Sequence, residues 1–335
     1  MSRAVSLVLG DGGWGTAIAM ALHRAGREVR LWSHDAVYAA EVARTRENGK
    51  FLAGVEIPAA IDWMADADKA LDDVVEFYSV IPTQFLRPTL RRFAGALAGV
   101  PAVSASKGLE LDTFRRPTEI LAEATGCEQL AILSGPSHAE EVALGLATSV
   151  VVASTTPGLA ERVQERIASD SFRVYTSGDP LGVELGGALK NVVAVAAGVS
   201  DGLGLGDNAK AALVSRGLVE IARFGAALGA DRETFFGLSG AGDLMVTCYS
   251  RHSRNRALGE RIGAGEKLDD ILAASAKVAE GVWTCKAVHA QARALEVDMP
   301  ITAQLHAILF GGRPALEAVR ELMLRPSRAE QDVSA

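Results

Sequence analysis

Three glycines near the start of the chain constrain its fold more than any other feature. In "VLGDGGWGTAIAMAL", residues 8–22, Gly10, Gly12 and Gly15 have G-x-G-x-x-G spacing. An apolar run precedes them and a helical pattern follows, which is the context of a dinucleotide-binding turn in a β-α-β unit. There the first glycine permits the bend, the second lets backbone approach a pyrophosphate, and the third lets the helix pack on the strand. The stretch therefore predicts a nucleotide-binding α/β domain.

The side chain between the first two glycines departs from what a phosphate-binding turn requires. Asp11 puts a carboxylate where the start of a helix attracts anions. We expect this side chain to point to solvent. It should then weaken the positive field of the turn without abolishing binding.

The first half of the chain alternates short apolar runs with helical patterns. The runs predicted as strands are 4–9, 28–32, 74–80, 102–105, 130–133, 149–153 and 172–176. Helical periodicity between them includes 16–25 and 157–168. This alternation predicts an α/β fold with a Rossmann-type, doubly wound parallel sheet and helices on both faces.

The second half of the chain has a different pattern. Long runs of Ala, Leu, Val and Gly, such as "LGVELGGALKNVVAVAAGV", predict an all-helical domain. A polar turn, "TSGDPLG" at 176–182, separates the two patterns. We therefore predict a nucleotide-binding domain at 1–178 and a helical substrate and catalytic domain at 179–335.

Composition excludes several classes of protein. A net charge of −7 opposes general binding to nucleic acid or anionic membranes. We find no signal-peptide pattern and no apolar run of the roughly 20 residues that span a bilayer, so we expect a soluble cytoplasmic protein without membrane insertion. The cysteines, Cys127, Cys248 and Cys285, are far apart and indicate neither a disulfide framework nor a metal site.

Polar stretches follow three of the predicted strands, at the sheet edge where ligands bind. They are the glycine turn, "SASKGLE" at 104–110 and "SGPSHAEE" at 134–141. Lys107 in the second stretch can hold an anionic substrate there, although a surface loop lysine is the alternative. His138 in the third is better explained as a polar residue at a helix start than as an acid catalyst.

Lys190 and Asn191 lie within an apolar helical run. Gly186 and Gly187 stand about one turn before the lysine on the same helix face, and we expect them to clear space for a ligand. A buried lysine needs a partner, and burial lowers the pKa of its ammonium toward working pH, as a general acid requires. The alternative is a lysine at the helix edge whose ammonium reaches solvent.

Arginines are concentrated in "RHSRNR", residues 251–256, of an otherwise acidic protein. Their guanidinium groups can hold a phosphate bidentately, although a solvated basic loop has the same composition. Asp243, which follows a glycine-rich segment, is either a turn residue or the partner of Lys190.

Together these segments resemble the bacterial family of NAD(P)-dependent glycerol-3-phosphate dehydrogenases. The resemblance covers nearly the whole chain, through the glycine turn, "LSGPSHAEEVA", "ALKNVVAVAAGVSDGLGLGDNAKAAL", "GAGDLMVTCYSRHSRNRALG" and "KVAEGVWTCKAVHAQARALEV". It implies reversible reduction of dihydroxyacetone phosphate to sn-glycerol 3-phosphate with NAD(P)H, which supplies phospholipid synthesis. It also implies a homodimer.

The resemblance assigns roles to individual residues, with Lys190 as proton donor and acceptor. The substrate-binding residues are Lys107, Gly135, Ser137, Lys190, Asn191, Asp243, Ser253, Arg254 and Asn255. The cofactor-binding residues, motif glycines included, are Gly10, Gly12, Gly13, Trp14, Gly15, His34, Lys107, Ala139, Arg254, Val278 and Glu280.

The choice between NAD and NADP stays open in the sequence. A carboxylate at the end of the second strand would bind the ribose of NAD, and "SHD" stands there at 33–35 instead. No acid directly ends that strand, so no carboxylate there repels the 2′-phosphate of NADPH. This absence favours NADPH. Members of the family often have arginine where this chain has His34, and this departure bears on NADP preference. They usually have a small residue at the position of Asp11, and this departure bears on coenzyme affinity.

Two other functions are compatible with these residues. A related dehydrogenase acting on a hydroxy acid would need a carboxylate clamp, which the basic residues could also form. A non-enzymatic NAD(P)H-binding sensor would not need a lysine in an apolar helix beside two glycines.

Overall fold

The computed structural model describes residues 4–274, 279–326 and 329–330. The chain forms two compact units. Unit 1 comprises Met1–Lys107 and Arg116–Pro180, and unit 2 comprises Gly108–Arg115 and Leu181–Ala335.

Unit 1 is built on a sheet of eight strands in the order β10-β9-β8-β7-β6-β1-β2-β5, with a separate β3-β4 hairpin. The strands are β1 (Val5–Leu9), β2 (Glu28–Trp32), β3 (Glu47–Asn48), β4 (Leu52–Glu56), β5 (Asp62–Met64), β6 (Val74–Ser79), β7 (Ala102–Ser104), β8 (Leu130–Ser134), β9 (Thr148–Ala153) and β10 (Phe172–Ser177). All seven predicted strands are present, with ends within one residue of those predicted.

The predicted sheet differs from the observed one in two respects. The pairing of β8 with β9 is antiparallel, so the prediction of a wholly parallel sheet is wrong at that pair. The short strands β3, β4 and β5 were not predicted. Two of them have three residues or fewer, which is too short to show an alternating pattern.

Helices cover both faces of this sheet, as predicted. They are α1 (Gly13–Arg24), α2 (Ala36–Thr45), α3 (Ala67–Ala70), α4 (Thr83–Leu90), α5 (Pro117–Thr125), α6 (Ala139–Ala143) and α7 (Leu159–Ile167), with a 3₁₀ turn at Arg91–Phe93. Adjacent residues of β1 belong to opposite cores, since side chains alternate along a strand. Val8 packs with α1 and α7, and Leu7 packs with α4 and α5.

Unit 2 is helical, as predicted. Its helices are α8 (Pro180–Gly202), α9 (Gly206–Ala227), α10 (Asp243–Tyr249), α11 (Arg254–Gly263), α12 (Leu268–Ala273), α13 (Glu280–Ala294), α14 (Pro300–Gly311) and α15 (Ala315–Met323). A 3₁₀ turn at Arg232–Phe236 and a π-helical turn at Leu238–Gly242 precede α10.

The segment Gly108–Arg115 belongs to unit 2 although it lies within the predicted first domain. Leu109 is fully buried in the same core as Leu185. Phe114 meets the ring of Phe224 edge to face at a centroid distance of 6.0 Å. A boundary between domains at residues 178 and 179 stays a prediction.

Helix α8 forms the centre of unit 2. Within the described parts of the chain it alone is long and apolar enough to cross a membrane, and 94% of its most apolar window is buried inside the protein. The expectation that no run reaches that length is therefore wrong. Burial explains the composition of α8, because a helix enclosed on all sides is apolar all round.

Glu220 of α9 is a buried carboxylate that caps another helix. It accepts hydrogen bonds from the backbone N–H groups of Ile301 and Thr302, both at 2.8 Å, and from Thr302 Oγ1 at 2.7 Å. Burial raises the pKa of this carboxyl, and the hydrogen bonds oppose that shift. These bonds satisfy donors at the start of α14 that have no partner within the helix.

We expect Glu220→Ala to lower the free energy of unfolding by on the order of 3 kcal/mol, because it leaves buried donors without an acceptor. Urea denaturation measures the change. Glu317→Ala, at an exposed glutamate of α15, is the control and should stay within about 0.5 kcal/mol of the parent. Equal stability of the two variants would contradict the capping role.

Candidate active site

The glycine turn of unit 1 has the geometry that a dinucleotide requires. Gly10 has φ +120°, and a Cβ there would lie 3.0 Å from the carbonyl oxygen of Val80. A Cβ on Gly15 would lie 2.0 Å from the carbonyl oxygen of Gly10. Only glycine therefore fits at this position in the first turn of α1. A Cβ on Gly12 would meet nothing within 4 Å. This open side of Gly12, beside the first turn of α1, fits an approaching pyrophosphate.

Asp11 does not point to solvent, so that expectation is wrong. Its side chain is only 11% exposed. Ser33, the residue after β2, donates its hydroxyl to Asp11 Oδ2 at 2.5 Å. The carboxylate is therefore buried at the carboxyl end of β2. No acid directly ends β2, as the sequence indicates, but the carboxylate of Asp11 in the turn lies beside Ser33 at that end.

Asn48 of β3 holds the glycine turn through side-chain hydrogen bonds. Its side-chain N–H groups donate to the carbonyl oxygen of Asp11 and to Thr16 Oγ1, both at 2.8 Å. Its Oδ1 accepts from the Tyr38 hydroxyl at 2.5 Å and from the Phe51 N–H at 3.2 Å. Asn48 is fully buried. The two bonds that it donates fix the turn and the start of α1, and the two that it accepts fix Asn48 itself.

The three polar stretches lie together at the carboxyl edge of the unit 1 sheet, as predicted. Lys107 donates to the carbonyl oxygen of Gly135 at 3.0 Å and to Ser137 Oγ at 3.4 Å. Trp14 of α1 donates its indole N–H to the carbonyl oxygen of Ala105 at 3.2 Å. One edge thus carries a cation beside the turn that fits a pyrophosphate.

Three further predicted cofactor residues lie at this edge. A Cβ on Gly13 would lie 3.6 Å from that of Ala139, the first residue of α6. The side chain of His34 is 68% exposed, and its Nδ1 is 4.0 Å from Asp11 Oδ1. Their contact with a nucleotide stays a prediction.

Lys190 of α8 forms a buried ion pair in unit 2. Its Nζ is 2.6 Å from Asp243 Oδ1 and 2.7 Å from Thr247 Oγ1. The exposed fractions of the three residues are 6%, 1% and 4%. Thr247 in turn donates to the backbone carbonyl of Asp243 at 2.6 Å. Asp243 is therefore the partner of Lys190, and the alternative of a lysine at the helix edge is wrong.

The π-helical turn before α10 brings Asp243 to the lysine. A Cβ on Gly240 would lie 1.9 Å from the carbonyl oxygen of Phe235, so this tight path requires glycine. A Cβ on Gly186 would lie 2.9 Å from the carbonyl oxygen of Ser239. Gly186 thus admits the backbone of this turn, and the expectation that it clears space for a ligand is wrong.

A second polar chain joins α8 to the starts of α11 and α13. Asn255 donates its side-chain amide to Asn191 Oδ1 at 2.9 Å, and its own Oδ1 accepts from the Gly281 N–H at 3.0 Å. Ser253 caps α11 by accepting from the N–H of Arg256. Glu280 directly precedes Gly281 as the first residue of α13. Val278 lies outside the described residues.

The arginines of 251–256 do not act as one group. Arg256 Nε lies 2.6 Å from Asp201 Oδ2, an oxygen that also accepts from Lys210 at 2.8 Å. This pairing neutralises Arg256, so the prediction of a phosphate clamp does not hold for it. Arg254, the first residue of α11, is exposed.

Reasoning from the sequence missed Asn48 and Thr247, and it placed Ser33 at the end of the second strand without finding its bond to Asp11. Thr247 follows Asp243 by four residues on a helix, a spacing that places both on one face. That spacing could have identified it. No local signal marks Asn48, whose partners come from three other elements. In the described ranges no cluster of three or more His, Cys, Asp or Glu could hold a metal ion.

Known proteins resemble the chain over both units. Residues 6–160 match the model of the NAD-dependent glycerol-3-phosphate dehydrogenase N-terminus, and residues 179–320 match that of the C-terminus. A glycerol-3-phosphate dehydrogenase [NAD(P)+] of Geobacillus thermodenitrificans is 49% identical over 97% of this chain and 96% of its own length. One of Prosthecochloris aestuarii is 46% identical over 96% and 98%.

A solved structure shares the same fold. The crystal structure of glycerol-3-phosphate dehydrogenase from Coxiella burnetii has a TM-score of 0.92 and 36% identity, and the match covers 97% of this chain and 100% of that one. Two family models span most of the chain, and relatives above 40% identity cover almost all of it. The chain therefore belongs to the family of NAD(P)-dependent glycerol-3-phosphate dehydrogenases.

Proposed function

We propose that the chain reduces dihydroxyacetone phosphate to sn-glycerol 3-phosphate, reversibly, with NADH or NADPH as coenzyme. The names and identity of its relatives support this reaction. The product supplies glycerophospholipid synthesis in the cytoplasm. The protein acts as a homodimer of chains, each with a nucleotide-binding and a helical domain.

Lys190 is the general acid and base of this reaction. The observation that carries this role is its buried pair with Asp243 at 2.6 Å. When bound, the nicotinamide coenzyme supplies a hydride to the ketone carbon. As negative charge grows on the ketone oxygen, the ammonium of Lys190 donates a proton to that oxygen. Asp243 holds Nζ in one position together with Thr247, and its carboxylate compensates the charge of Nζ in this buried site.

The remaining residues bind the two small molecules. Arg254 holds the substrate phosphate. It is the first residue of α11, the helix that Ser253 caps, and both a helix start and a guanidinium attract anions. Asn191 and Asn255 offer amides to the substrate hydroxyl and carbonyl groups. Lys107, Gly135 and Ser137 are further proposed substrate contacts. The nucleotide contacts are Gly10, Gly12, Gly13, Trp14, Gly15, His34, Lys107, Ala139, Arg254, Val278 and Glu280.

An activity assay with purified protein tests the proposal. The absorbance of the reduced nicotinamide should fall when dihydroxyacetone phosphate is added with NADH or NADPH. If this absorbance falls with 2-oxo acids but not with dihydroxyacetone phosphate, the protein is a hydroxy-acid dehydrogenase. Coenzyme binding without turnover of any of these substrates would identify a sensor. Either of these results would overturn the proposal.

The contacts of Asn48 predict a role in coenzyme binding. Asn48→Asp keeps the size of the side chain but removes both N–H donors and faces the Asp11 carbonyl with negative charge. We expect NADH affinity to fall by about tenfold, the equivalent of one lost hydrogen bond. Fluorescence titration measures the dissociation constant, and Asn208→Asp, at an exposed asparagine of α9, is the control. Equal affinities in the two variants would contradict this role.

A further inference from the structure

We propose that Asp11 makes the chain prefer NADH over NADPH by placing a carboxylate where the 2′-phosphate of NADPH would bind. This inference rests on the proposed binding of a dinucleotide at the glycine turn. It assigns coenzyme choice to a residue of the turn itself. In the usual arrangement that choice belongs to a residue ending the second strand.

The position of the carboxylate follows from the register of the first two strands. Leu9 pairs with Trp32 at the ends of β1 and β2, and the N–H of Gly10 donates to the carbonyl oxygen of Trp32. Asp11, the next residue of the turn, therefore lies beside Ser33, the residue after β2. In dinucleotide-binding folds an acid at the end of the second strand binds the ribose 2′-hydroxyl of NAD. Here that acid comes from the turn.

The surroundings of Asp11 keep its carboxylate in this place. Ser33 is fully buried and donates to Asp11 Oδ2 at 2.5 Å while accepting from the N–H of Asp35 at 3.2 Å. Asn48 holds the backbone carbonyl of Asp11. The carboxylate thus has one orientation, and little reorganisation is needed when a ribose arrives.

The charges around this position oppose a phosphate. Asp11 Oδ1 is 4.0 Å from Nδ1 of His34, the exposed side chain that a 2′-phosphate would otherwise meet. An anion that approaches His34 therefore also approaches the carboxylate of Asp11. The ammonium of Lys50, a further cation of this region, lies 4.9 Å from the ring centre of Phe51. A 2′-phosphate adds nearly two negative charges beside a fixed carboxylate, whereas a 2′-hydroxyl adds a hydrogen-bond donor.

Binding measurements test the inference without turnover. NADH and NADPH are titrated into the protein, and nicotinamide fluorescence gives both dissociation constants. We expect NADH to bind at least about tenfold more tightly, as for one unfavourable charge contact in a partly buried site. Asp11→Asn, which keeps the size and the bond to Ser33, should lower this preference by roughly fivefold or more, chiefly through tighter NADPH binding.

Two further variants separate the charge of Asp11 from other effects. Asp11→Ser removes the same charge with a smaller side chain and should shift the preference in the same direction. Asp35→Asn is the matched control, because Asp35 is a nearby carboxylate that caps α2, and it should change the preference by less than about twofold. If Asp35→Asn changes the preference for NADH as much as the Asp11 variants do, the loss of any nearby negative charge has the same effect. That result would overturn the assignment to Asp11.

The outcomes also separate this inference from the proposed function. Tighter binding of NADPH than NADH by the parent protein, or an unchanged preference in both Asp11 variants, would overturn the inference and leave the reaction intact. Failure of both coenzymes to bind the parent protein would overturn the nucleotide site and the inference with it.

Discussion

Replacing Lys190 by Met is expected to lower kcat for dihydroxyacetone phosphate reduction by roughly 10²–10⁴, the usual contribution of a positioned acid or base. Coenzyme affinity should change by less than about threefold, because Lys190 is not one of the proposed nucleotide contacts. The assay compares kcat and the NADH dissociation constant in one variant.

The structure adds a cost to this variant that the sequence did not indicate. Met leaves the carboxylate of Asp243, 1% exposed, without its ammonium partner. Loss of one partner of a buried ion pair costs about 3–5 kcal/mol, so Lys190→Met alone should be less stable than the parent. A loss of kcat with equal loss of folded protein would therefore not demonstrate catalysis. The double variant below removes this ambiguity.

Replacing Asp243 by Asn is expected to have the second large effect. The variant keeps the shape of the side chain and leaves the Lys190 ammonium buried without a carboxylate at 2.6 Å. We expect the free energy of unfolding to fall by about 3–5 kcal/mol and kcat to fall by at least about tenfold, since Nζ loses its orienting partner. Urea denaturation and the activity assay measure the two effects.

A half-exposed ion pair of unit 2 is the control for this prediction. Glu321 accepts from Arg313 at 2.6 Å, and its side chain is 51% exposed. Because ion pairs near the surface contribute about 0–1 kcal/mol, Glu321→Gln should change stability little. Similar losses in Asp243→Asn and Glu321→Gln would show that burial of the Lys190 pair has no special importance.

Much of unit 1 could be predicted because its signals are local. The apolar run of β2 and the glycines that start α1 lie within short stretches, and the structure has both elements at the predicted places. The reversal of β9 has no such signal. Its direction depends on how the chain returns through α6, and a strand shows the same alternation in either direction.

The site was less predictable because its partners are distant in sequence. Lys190 could be recognised as a buried lysine from its apolar helix, but its partner lies 53 residues further along the chain. The orientation of Asp11 depends on Ser33, 22 residues away. The sequence of the turn alone therefore led to the wrong expectation that the Asp11 side chain points to solvent. The role of Gly186 was also hidden from the sequence. The space beside this glycine is filled by the backbone of Ser239, a residue from a distant segment.

The double variant Lys190→Met with Asp243→Asn gives the most direct measurement of the central claim, that Lys190 protonates the substrate. Removing both charges avoids an uncompensated buried ion, so its stability should exceed that of either single variant. The account predicts a folded protein with NADH affinity within about threefold of the parent and a kcat at least about a hundredfold lower. A folded double variant that reduces dihydroxyacetone phosphate at close to the parental kcat would contradict it.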